Sequence, residues 1–156
     1  MMKSNNRIKQ EKLKEFLQIV DNHFPVPLSA KVDLEDYARK LINRADLIAE
    51  LSDTGEIQAL VAGYVRHVEN NMAYIAIVAT ISEMRGQGKA KLVVQKFLDY
   101  CREQNRKGVH LYAVASNTNA VRLYERLGFE RYCLENEQRP DDLHLVYWFE
   151  VVSSNL

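Results

Sequence analysis

One change of hydrophobic periodicity in the middle of the chain constrains the fold more than any other feature. The apolar run "MAYIAIVAT" has the length and the β-branched content of a buried strand. After the loop "RGQGKA", apolar residues recur at three-and-four spacing, which predicts a helix, and after Gly108 the stretch "VHLYAVAS" predicts another strand. Because a strand, a helix and a further strand in this order normally form a parallel crossover, we expect one parallel strand pair in the sheet.

Two helices and two strands are predicted before this unit. Three-and-four spacing predicts a first helix near residues 13–20 and a second near residues 34–45, with Asp33 as the N-cap of the second. The segment "FPVPL" separates them, since proline disfavours both a helix interior and a central strand. Strands are predicted at residues 46–52 and 57–68, joined by the turn "DTGE", and this short connection favours antiparallel pairing.

The C-terminal third is predicted to complete the same sheet. The short helix "NTNAVRLYERL" ends at Gly128, a natural C-cap, and "ERYCLE" and "HLVYWFEVV" are strand patterns in which Tyr147 and Trp148 are expected to pack. Asp141 and Asp142 are expected in a solvated loop. Since the chain has no repeat and no Pro/Gly/Ser linker, we predict a single domain over residues 1–156. Its class is α/β, with a mixed, mostly antiparallel sheet flanked by helices.

Composition and charge argue against several classes of partner. Lys and Arg together number 21, as do Asp and Glu, so the formal net charge is zero and neither nucleic acid nor a membrane surface is an expected partner. Cys101 and Cys133 form no CxxC or Cys/His cluster, which favours a reducing compartment and gives no sign of a metal site. The N-terminal residues contain no apolar leader and no run is long enough to cross a bilayer, so we expect a cytoplasmic protein.

The glycine loop, residues 85–91 ("RGQGKAK"), places cations where a helix start would favour anions. Arg85, Lys89 and Lys91 lie at the beginning of the predicted helix, with Lys96 nearby. The N–H groups at a helix N-terminus already carry about half a positive charge, so Asp or Glu would be expected there. A bound phosphate would offset this crowding. The alternative is a tight glycine turn whose lysines are merely solvated.

Two common phosphate-binding motifs do not fit the loop. A Walker loop needs GxxxxGK followed by Ser or Thr, whereas this chain has Glu83 at the first glycine position and Ala90 after the lysine. A dinucleotide fingerprint needs a third glycine where the chain has Lys91, and the strand before the loop comes too late in the sheet. Neither nucleotide motif is therefore predicted.

The spacing Arg85-x-x-Gly88-x-Ala90 resembles the Q/R-x-x-G-x-G/A loop of the GCN5-related N-acetyltransferases (GNAT). Further along, "NTNAVRLYERLGF" is similar to the second motif of that family, N-x-x-A-x-x-L-Y-x-x-L/G-G-F, with every named position filled. Gly63 matches a glycine common on an earlier strand of the family. Lys89 stands where the family usually has an apolar residue, and Ser82 stands where many members have proline.

The resemblance implies a GNAT fold and acetyl-CoA as the acyl-donor cosubstrate, with no metal. It implies that the glycine loop holds the pyrophosphate, while the preceding strand and the start of the short helix hold the pantetheine arm. The residues assigned in this way are Val78, Ala79, Thr80, Arg85, Gly86, Gln87, Gly88, Lys89, Ala90, Lys91 and Asn117. A backbone N–H of the strand would also steady the oxyanion. Asn117 is equally well explained as a helix cap.

Tyr124 has the position of the residue that protonates the leaving thiolate in the family. The alternative is a core residue, because Tyr124 lies on the apolar stripe of its helix. No general base is assigned. Some members use a Glu where this chain has Tyr74, which is a poor base at neutral pH, and His67, His110 and His144 are expected to be ordinary strand residues.

The reaction implied by the resemblance is transfer of an acetyl group to a primary amine. The leading hypothesis is a small-molecule acceptor, such as an amino sugar, an amino acid or a polyamine. The alternatives are a protein or peptide N-terminus, and a coenzyme A-binding module that catalyses no transfer. No strand is predicted before the first helix unless residues near Arg7 and Ile8 form a short edge. The oligomeric state stays open, a homodimer included.

Overall fold

A computed structural model describes residues 8–66, 68–132 and 142–149. Four α-helices and six strands are present in that part of the chain. The helices are α1 (Gln10–Val20), α2 (Leu34–Arg44), α3 (Lys89–Glu103) and α4 (Thr118–Leu127); the strands are β1 (Asp46–Leu51), β2 (Ile57–Tyr64), β3 (Met72–Thr80), β4 (Gly108–Val114), β5 (Glu130–Arg131) and β6 (Asp142–Trp148). Among these helices, none has the length and apolar character that a bilayer span requires.

The six strands form one mixed sheet in the order β1-β2-β3-β4-β6-β5. β3 and β4 are parallel, and the other described pairings are antiparallel. The predicted α/β class and the predicted parallel pair around α3 are therefore confirmed. The α-helical connection is needed because parallel neighbours cannot be joined by a tight turn.

The two parallel strands separate after only three residue pairs. Residues 72–74 of β3 pair with residues 108–110 of β4, and Tyr74 opposite His110 is the last of these pairs. Beyond that point the strands diverge and enclose a wedge-shaped space, called the central cleft below. The sheet thus has two half-sheets that meet only at the narrow end of the cleft.

A β-bulge at Ala76 changes the face to which β3 points its side chains. Ala62 pairs with Ile77 and Gly63 pairs with Ile75, so Ala76 is an extra residue in β3. As a result Ile75 is buried on the α3 side of the sheet, whereas Ile77 is buried on the α1 and α2 side. A Cβ at Gly63 would lie 2.3 Å from the Tyr74 carbonyl oxygen, which explains the glycine of β2 by close packing.

Two apolar cores lie on opposite faces of the sheet. One joins α3 and α4 to the sheet and contains Phe97, Leu111 and Leu145. The other joins α1 and α2 to β1, β2 and the end of β3, and contains Phe16 and Leu60. The helix α3 packs on both half-sheets, whereas α1 and α2 pack on the β1–β2 side. On the side of the sheet where α1 and α2 lie, β4 and β6 are therefore less covered by helices.

The helix ends follow the capping residues predicted from the sequence. The Asp36 N–H donates to the Asp33 carboxylate at 3.1 Å, as expected of an N-cap. Gly128 ends α4 with a φ of 113°, and the Phe129 N–H donates to the Tyr124 carbonyl oxygen at 3.0 Å. Both predicted caps are confirmed.

Strand β2 is shorter than predicted, because it ends at Tyr64 instead of Val68. The buried carboxylate of Asp46 accepts the Val65 N–H at 2.9 Å and pairs with Arg66 at 2.6 Å. These bonds replace strand pairing beyond Tyr64, so the chain leaves the sheet at that point. A side chain at the start of β1 thus terminates β2.

Other boundaries also differ from the predictions or lie outside the described residues. Ile8 is not a strand residue but is buried in the α1–α2 core, while Arg7 falls outside. Of the described residues in the β5 pattern, Glu130–Arg131 are strand and Tyr132 is not, while Cys133 lies outside the described residues. Asp142 is the first residue of β6 and not part of a solvated loop. His67 and Asp141 lie outside the described residues.

Candidate functional site

The glycine loop turns at its two glycines, Gly86 and Gly88. Gly86 and Gly88 have φ angles of 81° and 75°, in the left-handed region that residues with a Cβ rarely occupy. Helix α3 begins directly afterwards at Lys89, with Gly88 as its N-cap. Because the first N–H groups of a helix have no partner within the helix, α3 presents donors beside an exposed loop.

The cations around the loop divide into two groups. The ammonium groups of Lys89 and Lys96 lie 3.6 and 3.0 Å from the Glu50 carboxylate of β1. The hydrogen bond from Lys96 lowers the pKa of Glu50. Arg85 and Lys91 are exposed at the loop. Part of the positive charge noted in the sequence is therefore balanced by a carboxylate distant along the chain.

The central cleft has a volume of about 350 Å³ and is lined by β3 as far as Val78. Ala79 and Thr80 do not line it but continue β3 toward the glycine loop, whose residues also lie outside the lining. Of the residues predicted to form the site, Val78, Asn117 and Tyr124 line the cleft. The other walls come from the segment between α1 and α2, from α2, β3, β4 and α4, and from the start of β6: Phe24, Pro25, Val26, Leu28, Lys31, Val32, Tyr37, Tyr74, Ile75, Ala76, Ile77, Leu111, Tyr112, Ala113, Val114, Ala120 and Asp142.

Tyr124 lies both in the apolar core and at the central cleft. Its ring is buried and packs edge-on against Phe129, with the ring centres 5.6 Å apart. The same residue lines the central cleft. Burial raises the pKa of Tyr124 well above its ordinary value, so the phenol keeps its proton at neutral pH. A buried phenol beside a cleft has the properties of a proton donor.

Asn117 acts as a helix cap in this structure. Its side-chain oxygen accepts the Ala120 N–H at 3.4 Å at the start of α4. Asn117 also lines the central cleft. The cap fixes where α4 begins and therefore where Tyr124, two turns later, meets the cleft.

A histidine pair lies at the narrow end of the cleft and was not predicted. His110 Nδ1 and His144 Nε2 are 3.0 Å apart, so one imidazole donates a hydrogen bond to the other. The His144 ring stacks on Tyr112 at 4.5 Å, and the His110 ring lies 5.0 Å from Tyr74. Imidazole is the side chain best suited to exchange protons near neutral pH. The sequence offered little sign of this pair, because 33 residues separate the two histidines and only the sheet brings them together.

Residues 13–129 match the model of the family described as "Acetyltransferase (GNAT) family". This chain belongs to the GNAT family. The match includes the glycine loop, both strands of the central cleft and helix α4, and it confirms the resemblance carried by the two sequence motifs.

The names of the relatives of this GNAT chain indicate different acetyl acceptors. N-alpha-acetyltransferase 30 of Schizosaccharomyces pombe is 41% identical over 59 residues, which are 38% of this chain and 39% of that protein. Mycothiol acetyltransferase of Actinosynnema mirum is 34% identical over 67 residues, which are 43% of this chain and 22% of that protein. The chain thus spans well under two thirds of these relatives.

A solved structure shows the same fold over nearly the whole of both chains. The structure of Arabidopsis thaliana NAA60 in complex with acetyl-CoA superposes with a TM-score of 0.69 at 18% identity, and covers 91% of this chain and 96% of that chain. The predicted GNAT-like fold, a mixed sheet flanked by helices, is therefore confirmed.

In this GNAT chain, residues 21–33 form one wall of the central cleft and are held in place by polar contacts. The Asp21 carboxylate accepts both the backbone N–H and the hydroxyl of Ser29, at 2.9 and 2.5 Å, and these bonds lower the pKa of Asp21. His23 Nε2 lies 3.3 Å from the Ser82 hydroxyl, just before the glycine loop. Burial lowers the pKa of His23, which favours its neutral form. The wall is thus fixed to the end of β3.

A second cavity, the aromatic pocket, adjoins the central cleft and has a volume of about 530 Å³. Tyr74 lines both cavities. The described residues around the pocket are Tyr64, Val68, Glu69, Asn70, Met72, Tyr74, His110, Tyr132, His144, Val146 and Trp148. Trp148 was expected to pack in the sheet, but it is 48% exposed and lines this pocket. Tyr147, on the opposite face of β6, packs against Phe129 and Phe149 as expected.

Proposed function

We propose that this protein is an acetyl-CoA-dependent N-acetyltransferase that transfers the acetyl group to the primary amine of a small molecule. The observation that carries the proposal is the continuity of the site. β3 leads from the central cleft to the glycine loop, so one extended ligand would reach the N-terminus of α3 with its phosphates while its thioester lies near Tyr124.

The residues of the site fit acetyl-CoA. The loop at Arg85, Gly86, Gln87 and Gly88 and the first turn at Lys89, Ala90 and Lys91 offer N–H donors and two exposed cations to the pyrophosphate. The β3 backbone at Val78, Ala79 and Thr80 faces the widening part of the cleft, where β4 no longer pairs with β3. The amide groups of a pantetheine arm would bond there, and Asn117 lies on the opposite wall.

In the proposed reaction the amine attacks the thioester carbonyl carbon, and the carbon–sulfur bond then breaks. Tyr124 gives its phenolic proton to the departing sulfur, which makes the thiolate a better leaving group. Backbone N–H groups of β3 near the bulge at Ala76 stabilise the oxyanion. Pairing between β3 and β4 ends at Tyr74 and His110, so the β3 backbone beyond that point borders the cleft.

The histidine pair supplies the missing general base in this proposal. His110 lines the cavity beside Tyr74, where an amine would enter the cleft. A neutral imidazole takes the proton that the amine must lose, and His144 holds the ring of His110 through the 3.0 Å hydrogen bond. His110 therefore acts on the acceptor, and His144 is a positioning residue.

A peptide N-terminus is the second candidate acceptor. N-alpha-acetyltransferase 30 is among the relatives, and the cleft wall at residues 24–32 is apolar. Val26 and Val32 of this wall are 47% and 40% exposed, as would suit contact with the first side chains of a peptide.

The experiment that tests the function is thiol release from acetyl-CoA with three sets of acceptors: small primary amines, amino acids and peptides with free N-termini. Release with small amines supports the proposal, and release with peptides alone favours the second candidate. Tight binding of acetyl-CoA without release from any amine would instead indicate a binding module. Calorimetry of acetyl-CoA binding is therefore run beside the kinetic assay.

A further inference from the structure

We propose that the aromatic pocket binds an aryl group carried by the acceptor, so that the preferred substrate is an arylalkylamine. This inference rests on the proposed function, because it names the chemistry of the amine that the central cleft would acetylate. It concerns the part of the acceptor that does not react.

The position of the pocket connects it to the reacting amine. Tyr74 and His110 form the last residue pair before β3 and β4 diverge, so they stand where the central cleft ends. Both residues also line the aromatic pocket. An amine that presents its nitrogen to His110 therefore has its substituent at the entrance of this pocket.

The rings of the pocket wall leave room for another ring. Tyr132 meets Trp148 at an interplanar angle of 72° with 6.3 Å between ring centres, and it meets His144 at 84° and 5.6 Å. Rings at such angles do not cover one another's faces, and an added ring can pack edge-on or offset against them. Tyr132 and Trp148 are 41% and 48% exposed, so an aryl group would remove much apolar surface from water.

The charges of the lining argue against charged substituents. Among the described lining residues Glu69 is the only carboxylate, and none is Lys or Arg. An anionic substituent would meet no permanent cation. A second ammonium group would meet Glu69, but this residue is exposed, so water would screen the attraction. The remaining titratable groups of the wall are the phenols of Tyr64, Tyr74 and Tyr132 and the imidazoles of His110 and His144.

The volume of the pocket also fits this class of substrate. At about 530 Å³ it is within the range of cavities that bind small organic molecules. Val68, Met72 and Val146 add aliphatic surface between the rings. A phenyl or indolyl group would fill much of this space, whereas ethanolamine would leave it open to water.

The test compares acceptors with the same reactive amine and different substituents: 2-phenylethylamine, 1,4-diaminobutane and ethanolamine. We expect kcat/KM to be higher for 2-phenylethylamine by about tenfold or more, because its ring alone reaches the pocket. The Trp148→Ala variant should lose much more kcat/KM on 2-phenylethylamine than on ethanolamine and so lose most of this preference, and Trp148→Phe should retain the preference. Equal rates for the three amines, a preference for the diamine, or an equal loss on all three in Trp148→Ala would overturn the inference.

A second readout separates this inference from the proposed function. Trp148 is the only tryptophan of the chain, so its fluorescence reports directly on occupation of the pocket. A saturable change with 2-phenylethylamine and none with ethanolamine supports the pocket even if no acetyl transfer occurs, in which case the proposed function alone has failed. Acetyl transfer without any fluorescence change would instead show that the function holds and the pocket assignment is wrong.

Discussion

At the scale of single residues, Tyr124 is both part of the core and part of the cleft wall. We expect Tyr124→Phe to keep the packing against Phe129 and to lose the transferable proton, so kcat should fall by about 100-fold or more. The affinity for acetyl-CoA, measured by calorimetry, and the melting temperature should change little. Because burial raises the pKa of Tyr124, wild-type activity should not decline from loss of this proton below about pH 10.

Tyr37 provides the matched control for this substitution. It is a largely buried tyrosine of α2 that lines the same cleft, and burial raises its pKa to about 12. Tyr37→Phe removes a phenolic hydroxyl from the α2 wall of the cleft instead of the α4 wall. It should leave kcat within a few fold of wild type. Equal losses of turnover in the two variants would mean that Tyr124 has no special role in proton transfer.

The proposed role of His110 predicts a loss of turnover without a loss of cosubstrate binding. In His110→Gln the imidazole that takes the amine proton is missing, so kcat should fall by about 100-fold at neutral pH. The affinity for acetyl-CoA, measured by calorimetry, should change little. His144→Gln should cause a smaller fall in kcat, since His144 only holds His110 in place. If His110→Gln retained the wild-type kcat, the base would have to be another group.

At the scale of the elements, one carboxylate determines where β2 ends. Asp46→Asn keeps the shape of the side chain but replaces one carboxylate oxygen by an NH2 group. The variant therefore loses the charge that pairs with Arg66 and one of the two oxygens that can accept hydrogen bonds from Val65 and Arg66. We expect a loss of about 1–3 kcal/mol in the free energy of unfolding, measured with urea. Asp99→Asn is the control, because its exposed pair with Arg102 should contribute less than about 1 kcal/mol. Equal effects would show that the burial of Asp46 does not matter.

The glycine loop allows the cost of backbone strain to be separated from a role in binding. Gly88 and Gly55 both have positive φ angles, 75° and 87°, and a Cβ at either would meet no atom within 4 Å. Gly88→Ala and Gly55→Ala should each cost about 1–2 kcal/mol in unfolding free energy. Only Gly88→Ala should weaken acetyl-CoA binding in calorimetry, because Gly55 lies in the β1–β2 turn. Parallel losses of affinity in both variants would contradict a phosphate-binding loop.

The elements that could be predicted from the sequence are those determined by near neighbours in the chain. The cap at Asp33, the stop at Gly128 and the strand–helix–strand unit all depend on residues a few positions apart, and each was predicted. The end of β2 depends on Asp46, 19 residues earlier than its partner Val65, so the periodicity alone could not reveal it. For the same reason the histidine pair appeared only once the register of β4 and β6 was known.

At the scale of the whole molecule, the sequence predicted the fold class but not the separation of β3 from β4. Both strands are largely apolar, and nothing in their periodicity indicates that only residues 72–74 of β3 pair with β4. The bulge at Ala76 has a similar origin, since it depends on how Gly63 of another strand packs against Tyr74. The glycine loop and Tyr124 were found through motifs, whereas the two cavities required the three-dimensional arrangement.

A cosubstrate that binds only the folded protein, across the two half-sheets, should raise its stability. A ligand that bonds to β3 and also contacts β4 and α4 would join the two half-sheets. At 100 times its dissociation constant, acetyl-CoA should add about 2.7 kcal/mol to the free energy of unfolding. For a chain of this size that corresponds to a rise of roughly 5–10 °C in melting temperature, measured by calorimetry. The Gly88→Ala variant should need more acetyl-CoA for the same rise.

The divergence of β3 and β4 also bears on aggregation. A strand edge with unpaired amide groups invites pairing with strands of other molecules, and proteins usually protect such edges by charge, proline or coverage. Here the two inner edges face each other across a cleft of about 350 Å³ whose mouth is partly walled by residues 24–32. A foreign β-strand would have to pair along the whole inner edge of β3 or β4. A thin ligand with a few amide groups needs only the width of the central cleft. The central cleft can therefore admit a thin chain with a few amide groups and exclude a foreign β-strand.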